Sequence, residues 1–440
     1  MSTSHSGGPG LHRQLWAMAA PIILANVSVP LLGAVNTAVV GHLDAPYYIG
    51  AVAIGAMLFN FIYHLFNCLR MGTTGPTAQA RGAGDTAEVR AMIGRALLLA
   101  LGVSVVLLLL HRPLLDMALW LIKASAPVEQ HAREYFLIRV WALPAVLGSY
   151  AIVGWLYGLR DARTPLALLV VTNGANIVLS VLFVHGYGWG VPGVAAASLI
   201  AEYAGFAAGL LYMVRALRRL PGGGRRAPLL DPERLRRMLA INGDLVVRTF
   251  CVVSVSALFM AQSAGLGDLP LAANQVLQVF LMFTSFGLDG LANAAEAILG
   301  ESAGRRDRAG FRRGMRAVLG WSFAVGALNS AVYLVAGTAI IALLTSQPEV
   351  RAQAQAWLLW PALLPLISVW AYAYDGVYLA ATRTRPMRNI VLLAFTAFLA
   401  VLFGLAPLFG NAGLWAAVAT FLALRGLLQG WWVRRVVAAI

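Results

Sequence analysis

The chain has 440 residues, of which 60% are hydrophobic and only 12% charged, with a formal net charge of +15 at pH 7. A soluble domain carries about a quarter charged residues, so this chain cannot cover an aqueous surface. A soluble enzyme, a disordered protein and a free nucleic-acid binder are excluded. Apolar runs of ~20 residues or more suit helices that cross a ~30 Å hydrocarbon core. They exclude an outer-membrane barrel, whose strands alternate over ~10 residues.

Cut at charges and Gly/Pro clusters, the apolar runs predict twelve spans at 14–40, 48–79, 91–111, 131–159, 164–184, 191–216, 238–263, 271–300, 315–345, 355–381, 388–408 and 412–433. The fold class is an all-α polytopic membrane protein with two six-helix bundles. No small-residue cleavage site follows a short apolar core near the N-terminus, so the first span reads as an uncleaved helix. Pro21 and Pro30 fall inside it. Each lacks a backbone donor, which predicts a bend or local unwinding. Cys68 and Cys251 sit in separate apolar runs without metal-ligand spacing and read as packing residues. Between the sixth and seventh spans, residues 217–237 are rich in arginine and include Pro221-Gly222-Gly223-Gly224. This linker divides the chain into lobes at 1–216 and 238–440.

The loops alternate in charge. Arg13, Arg81, Arg90, Arg160, Arg163, the 217–237 arginines, Arg305 to Arg316, Arg383 to Arg388 and Arg434 fall on one side, and Asp44, Glu129, Asp268 and Glu349 on the other. The basic side is cytoplasmic by the positive-inside rule, which places both termini in the cytoplasm. The basic charge is therefore a matter of topology and lipid contact, with no nucleic-acid partner. The setting expected is a bacterial inner membrane.

The halves also resemble each other. Gly41 to Pro46 (GHLDAP) aligns with Gly265 to Pro270 (GLGDLP), Gln79 to Gly82 with Glu301 to Gly304, Arg90 with Arg312, Tyr157 to Pro165 with Tyr378 to Pro386, and Pro192-Gly193 with Ala412-Gly413. Each half starts on the same side, so the repeats are parallel and related by an axis along the membrane normal. Two like bundles around a cleft suit a rocker-switch transporter.

Residues 21–43 (PIILANVSVPLLGAVNTAVVGHL), 71–84 (MGTTGPTAQARGAG), 154–164 (GWLYGLRDART), 172–182 (TNGANIVLSVL), 242–249 (NGDLVVRT), 288–300 (LDGLANAAEAILG) and 375–389 (DGVYLAATRTRPMRN) carry a family likeness. The chain resembles the MATE family of multidrug and toxic compound extruders, in its DinF-type branch. The resemblance implies twelve helices in two lobes and export of amphipathic, often cationic, compounds against inward H⁺ or Na⁺. The N-lobe departs from the family pattern. Asn36 stands where an aspartate is common, Ser180 follows Asn176 where the branch has an acid, and Ser149 replaces an asparagine. An amide does not titrate, so Asn36 carries no proton. Glu202, beside Tyr203, is the one acid in that lobe's apolar runs, and reads either as a substitute for the missing acid or as a group held against a tyrosine or water within the lobe.

The C-lobe keeps Asp244 and Arg248, Asp289 and Glu296, and Asp375 within its spans. At 1.5 Å per residue Arg248, Asp289 and Asp375 lie ~9–16 Å from the cytoplasmic ends, whereas Asp244 and Glu296 are set nearer the interface and read as structural. Asp289, Asn293 and Glu296, at i, i+4 and i+7, share one face, and Asp244 and Arg248, at i and i+4, can meet. An ionisable group costs at least ~2.5–3.5 kcal/mol at a helix centre. Several acids against one arginine leave negative charge that H⁺ or Na⁺ would relieve, and Asp375 and Asp289 are the first candidates for that role. A permanent structural charge network is the other reading. Tyr63, Asn67, Tyr150, Gln275, Gln278, Met282, Phe286, Tyr374 and Tyr378 are the candidate substrate contacts, with aromatic faces suited to cations.

No metal, cofactor or catalytic group is expected. No GxxxxGK[ST] run supplies an ATPase. The partners expected are small organic molecules and lipids, the state a monomer. A lipid-intermediate flippase, with its arginine-crowded cleft, and a non-transporting membrane sensor are the alternatives.

Overall fold

The computed structural model describes residues 10–40, 47–122, 124–221 and 227–440, with backbone only at 29–38 and 40. Its helices are α1 (Leu11–Val40), α2 (Tyr47–Phe66), α3 (Cys68–Gly82), α4 (Thr86–Ile122), α5 (Ala126–Arg139), α6 (Leu143–Gly158), α7 (Arg163–Val181), α8 (Gly190–Arg219), α9 (Pro232–Gly265), α10 (Asp268–Gly304), α11 (Arg308–Leu344), α12 (Pro348–Trp357), α13 (Leu359–Ala380), α14 (Thr384–Phe409) and α15 (Asn411–Ala438). No strand occurs among the described residues. Helices are the form an apolar chain takes in lipid, because every backbone donor and acceptor is then satisfied within the segment. Among the described residues, eleven helical segments are long and apolar enough to cross a membrane. With the 30-residue α1, segments of spanning length number twelve.

Two spans are built from two α-helical pieces, α2 with α3 and α5 with α6, and the short α12 leads directly into the α13 span. Prolines explain two of the joints. Pro144 and Pro361 have no N–H to give the carbonyls four residues back. A 3₁₀ turn at Val140–Ala142 separates α5 from α6, and Leu358 separates α12 from α13. The local unwinding expected of α1 does not occur, since its helix runs unbroken through Pro21 and Pro30. Neighbouring helices and side chains tolerate such prolines in membrane proteins. The Gly41 to Pro46 repeat anchor with Asp44, the side chain of Asn36, and Gly222 to Gly224 of the linker lie outside the described residues.

Contacts divide the chain into two units, one of residues 24–238 and one of 239–440 together with the start of α1 up to residue 23. In the second unit, Trp321 Nε1 donates to His12 Nδ1 at 2.9 Å and its ring meets Trp16 edge-on at 5.3 Å. In the first unit, the linker is tied to α4 at two points. Arg90 donates to the Leu220 carbonyl at 2.6 Å, and Arg95, 1% exposed, donates to the Pro228 carbonyl at 3.0 Å. Glu88 accepts from Arg95 and from Arg234.

The units repeat one packing device. A Cβ on Gly154 of α6 would strike the backbone of Arg70 in α3, and one on Gly376 of α13 would strike that of Ala292 in α10. From 154 to 376 and from 70 to 292 the offset is the same 222 residues. Gly148 accommodates Phe206 of α8 in one unit, whereas Gly426 of α15 accommodates Trp370 in the other. The large and small partners have changed places, and the last helices correspond with an offset of 220. Each unit also has its own buried apolar cluster, one around Phe59, Tyr135 and Phe136, the other around Phe259, Phe280, Phe398, Trp415 and Phe421.

Candidate functional site

In the second unit, four helices meet at one carboxylate. Asp375 of α13 is 3% exposed. Its Oδ2 accepts from Arg248 of α9 and, at 2.7 Å, from Arg425 Nη2 of α15. Its Oδ1 accepts from Gln429 Nε2, one turn after Arg425, at 2.8 Å. The fourth helix is α10, whose Asp289 interacts electrostatically with Arg248, Arg425 and Tyr372. Two acids thus face two arginines. The expectation of several acids around a single arginine is corrected on this point, because Arg425 is a second cation.

The expected contact between Asp244 and Arg248 is also replaced by others. Asp244 accepts from Arg388 Nη1 at 2.6 Å and from Thr384 Oγ1 at 2.7 Å, both on α14. Arg248 instead reaches α13. Glu296 is fully buried on α10 and Asn293 is 7% exposed, on the face they share with Asp289. Arg425 and Gln429 were missed. A single arginine within an apolar run (LALRGLLQG) was the available signal, since the membrane cost of that charge implies a partner.

The sequence-chosen substrate contacts separate. Gln278 and Met282 line a cavity of about 210 Å³, together with Val252, Val255, Ser256, Tyr372 and Arg425. Gln275 is exposed. Tyr374 packs on Gly430, and Phe286 is half-buried. Tyr378 is wholly buried and donates to the Gln429 carbonyl at 2.9 Å, so it stands in the core and braces the Asp375 cluster.

In the first unit, Arg139 at the end of α5 is a second interior cation that the sequence reading overlooked. It bonds the Tyr135 hydroxyl and lies over the rings of Phe59 at 5.1 Å, Tyr135 at 5.5 Å and Tyr63 at 5.8 Å. Glu202 of α8 interacts electrostatically with Arg139, and Tyr150 with Glu202. Asn67 accepts from Arg70 Nε at 2.9 Å. Asn176 is buried and donates to Ser198 at 2.9 Å, and Ser180 is fully buried. No group of three or more His, Cys, Asp or Glu suited to a metal occurs among the described residues.

The repeat gives these charges their meaning. With the offsets set by the packed glycines, Asp375 corresponds to Val153, Asp289 to Asn67 and Arg425 to Gly205. One unit builds the same fold without the charged cluster, so the fold does not require it.

The family model MatE matches residues 21–182 and 245–405, most of both units. The chain belongs to the MatE family. Its members are transporters, not enzymes. This MatE chain is 42% identical to the DNA damage-inducible protein F of Escherichia coli, over 94% of this chain and 90% of that protein. It is 26% identical to the multidrug resistance protein MdtK of Yersinia pestis, over 92% of this chain and 91% of that one. A crystal structure of a MATE protein in a bent conformation superposes with a TM-score of 0.87, at 16% identity, over 98% of this chain and 96% of that chain.

Proposed function

We propose that this MatE protein is a secondary active exporter of small organic compounds, including drugs, which it moves against H⁺ or Na⁺ by rocker-switch alternating access. Both termini face the cytoplasm of a bacterial inner membrane, and the protein acts as a monomer. The observation that carries the coupling assignment is the convergence of Arg248, Arg425 and Gln429 on Asp375. One carboxylate ties three helices together, and a cation arriving there competes with the arginines. Neutralising Asp375 releases α9 and α15 from α13, and restoring its charge draws them back. A ligand shifts such an equilibrium only through its different affinities for the two states, and a buried ion pair supplies that difference. Asp289 is the second exchanging acid, with Glu296 behind it on the same face of α10. The Asp244–Arg388 pair holds α9 to α14 and is structural.

The N-lobe polar set of Asn36, Asn176, Ser180 and Glu202 plays a secondary part. Asn36 and Asn176 do not titrate, and Glu202 has Arg139 as its cation.

The test is purified protein in liposomes, with dye movement followed under an imposed pH or Na⁺ gradient. A cationic dye (ethidium) and an organic carboxylate dye are run in parallel. Movement driven by either gradient supports the antiport reading. No driven movement of any dye rejects it and returns the weight to a lipid flippase or a sensor. Loss of coupling in Asn36→Ala, with Asp375→Asn still coupled, would move the ion site to the first span.

A further inference from the structure

We propose that the cavity in the second unit is a binding subsite for a ring-sized ligand group bearing a carboxylate or another strong acceptor, with the Arg425 guanidinium as its anchor. The inference deepens the transport reading by naming the substrate chemistry this lobe admits; it shares Arg425 with the coupling cluster and adds the cavity and its lining.

Size comes first. At about 210 Å³ the cavity is larger than the ~150 Å³ that accommodates benzene and smaller than the ~300–1,000 Å³ of a drug-sized pocket. It fits one ring with one polar substituent, which makes it a subsite and not a site for a whole drug.

Charge comes next. The fourteen lining residues include one arginine and no acid. Asp375 lies behind Arg425, 3% exposed, with both carboxylate oxygens engaged. An organic cation entering the cavity therefore meets Arg425 with no carboxylate in the wall. The Phe421 ring, which would otherwise suit a cation, already lies against Arg425 at 5.3 Å.

Donors come last. A guanidinium has five N–H groups. Arg425 uses Nη2 on Asp375, and its Nε has no hydrogen-bond partner among the described residues. Its pairing is thus incomplete, and the low-dielectric surroundings that make an unfilled donor costly make a charged acceptor valuable. Ser256, Gln278 and Tyr372 add polar groups to the same wall. Val252, Val255, Leu281 and Leu422 supply the apolar remainder that a ring needs. The combination of apolar walls and a few convergent polar groups is that of a small-molecule site.

The experiment is equilibrium dialysis of radiolabelled benzoate and benzylamine against the full chain in lipid nanodiscs, with empty nanodiscs subtracted. The two probes share size and ring and differ in charge. Benzoate binds saturably and benzylamine at least tenfold more weakly. Arg425→Gln weakens benzoate roughly 10–100-fold, as expected for a lost charged hydrogen bond. Because Arg425 also holds Asp375, that variant is paired with Ser256→Glu, which leaves the Arg425–Asp375 pair intact and adds a carboxylate to the wall. Ser256→Glu loses benzoate and gains benzylamine. Benzylamine binding as tightly as benzoate overturns the proposal. Benzoate affinity unchanged in Ser256→Glu also overturns it and places the anion at another arginine. Gradient-driven dye movement without benzoate binding rejects this subsite and leaves the exporter reading standing. Benzoate binding without driven movement does the reverse.

Discussion

Replacing Asp375 by asparagine keeps its size and removes its charge. Arg248 and Arg425, with side chains 12% and 2% exposed, are then left without their carboxylate inside the unit. Removing one partner of a buried pair costs about 3–5 kcal/mol, mostly through the charge left behind. Two charge-assisted hydrogen bonds at ~1.5–3 kcal/mol each give a similar sum. For a unit of ~150–250 residues, each kcal/mol moves the unfolding midpoint by ~2–4 °C. The expected fall in Tm is therefore about 6–20 °C, read by gel filtration of detergent-purified protein after stepwise heating. Adding Arg425→Gln removes one of the stranded cations. The double variant should recover part of the loss, with a non-additivity of at least ~1 kcal/mol. A Tm for Asp375→Asn within ~2 °C of the wild type, or strictly additive losses in the double variant, would refute the view that this carboxylate holds the helices together.

Three further outcomes follow from the packing. Gly376→Val and Gly154→Val each force apart a helix pair whose backbones touch, so each should cost at least ~1–3 kcal/mol and reduce the yield of monodisperse protein. Gly174→Ala, with open space around it, is the control that should be silent. Asn274→Leu should cost ~1–3 kcal/mol for each polar group left unpaired. Asn274 is fully buried and joins Ser263, Asn411 and Trp415 at 2.8, 2.7 and 3.1 Å, and thermal stability reads the effect. Arg95→Ala strips Glu88 and the Pro228 carbonyl of a buried donor and should speed proteolysis of the linker, measured by limited trypsin digestion against the wild type.

The sequence carried the twelve spans because apolar runs are long and charges are rare between their ends. Single prolines were harder to interpret. Pro144 and Pro361 coincide with joints, whereas Pro21 and Pro30 interrupt nothing. The difference lies in tertiary packing, which local sequence does not encode. Asp375 and Arg248 were legible as charges that a membrane makes expensive. Their pairing was not, because it joins residues 127 apart in sequence. Asp244 shows the same limit. The i+4 rule offered Arg248, four residues away, but the observed partner is Arg388, 144 residues away. Arg139 and Arg425 each lie in an apolar run, but a lone arginine in such a run does not specify which residues it meets. Their weight in the site comes from what surrounds them: three aromatic rings and Glu202 for one, Asp375 and a cavity wall for the other.

The most direct test of the Asp375 assignment separates driven from downhill movement in the same liposomes. Wild type and Asp375→Asn are reconstituted at equal density, and dye transport is recorded with a pH or Na⁺ gradient and again with only a dye gradient. If the carboxylate couples the ion to the helices, Asp375→Asn loses accumulation against the dye gradient and keeps equilibrating movement down it. Accumulation by Asp375→Asn at the wild-type level would contradict the assignment and make the cluster a structural one.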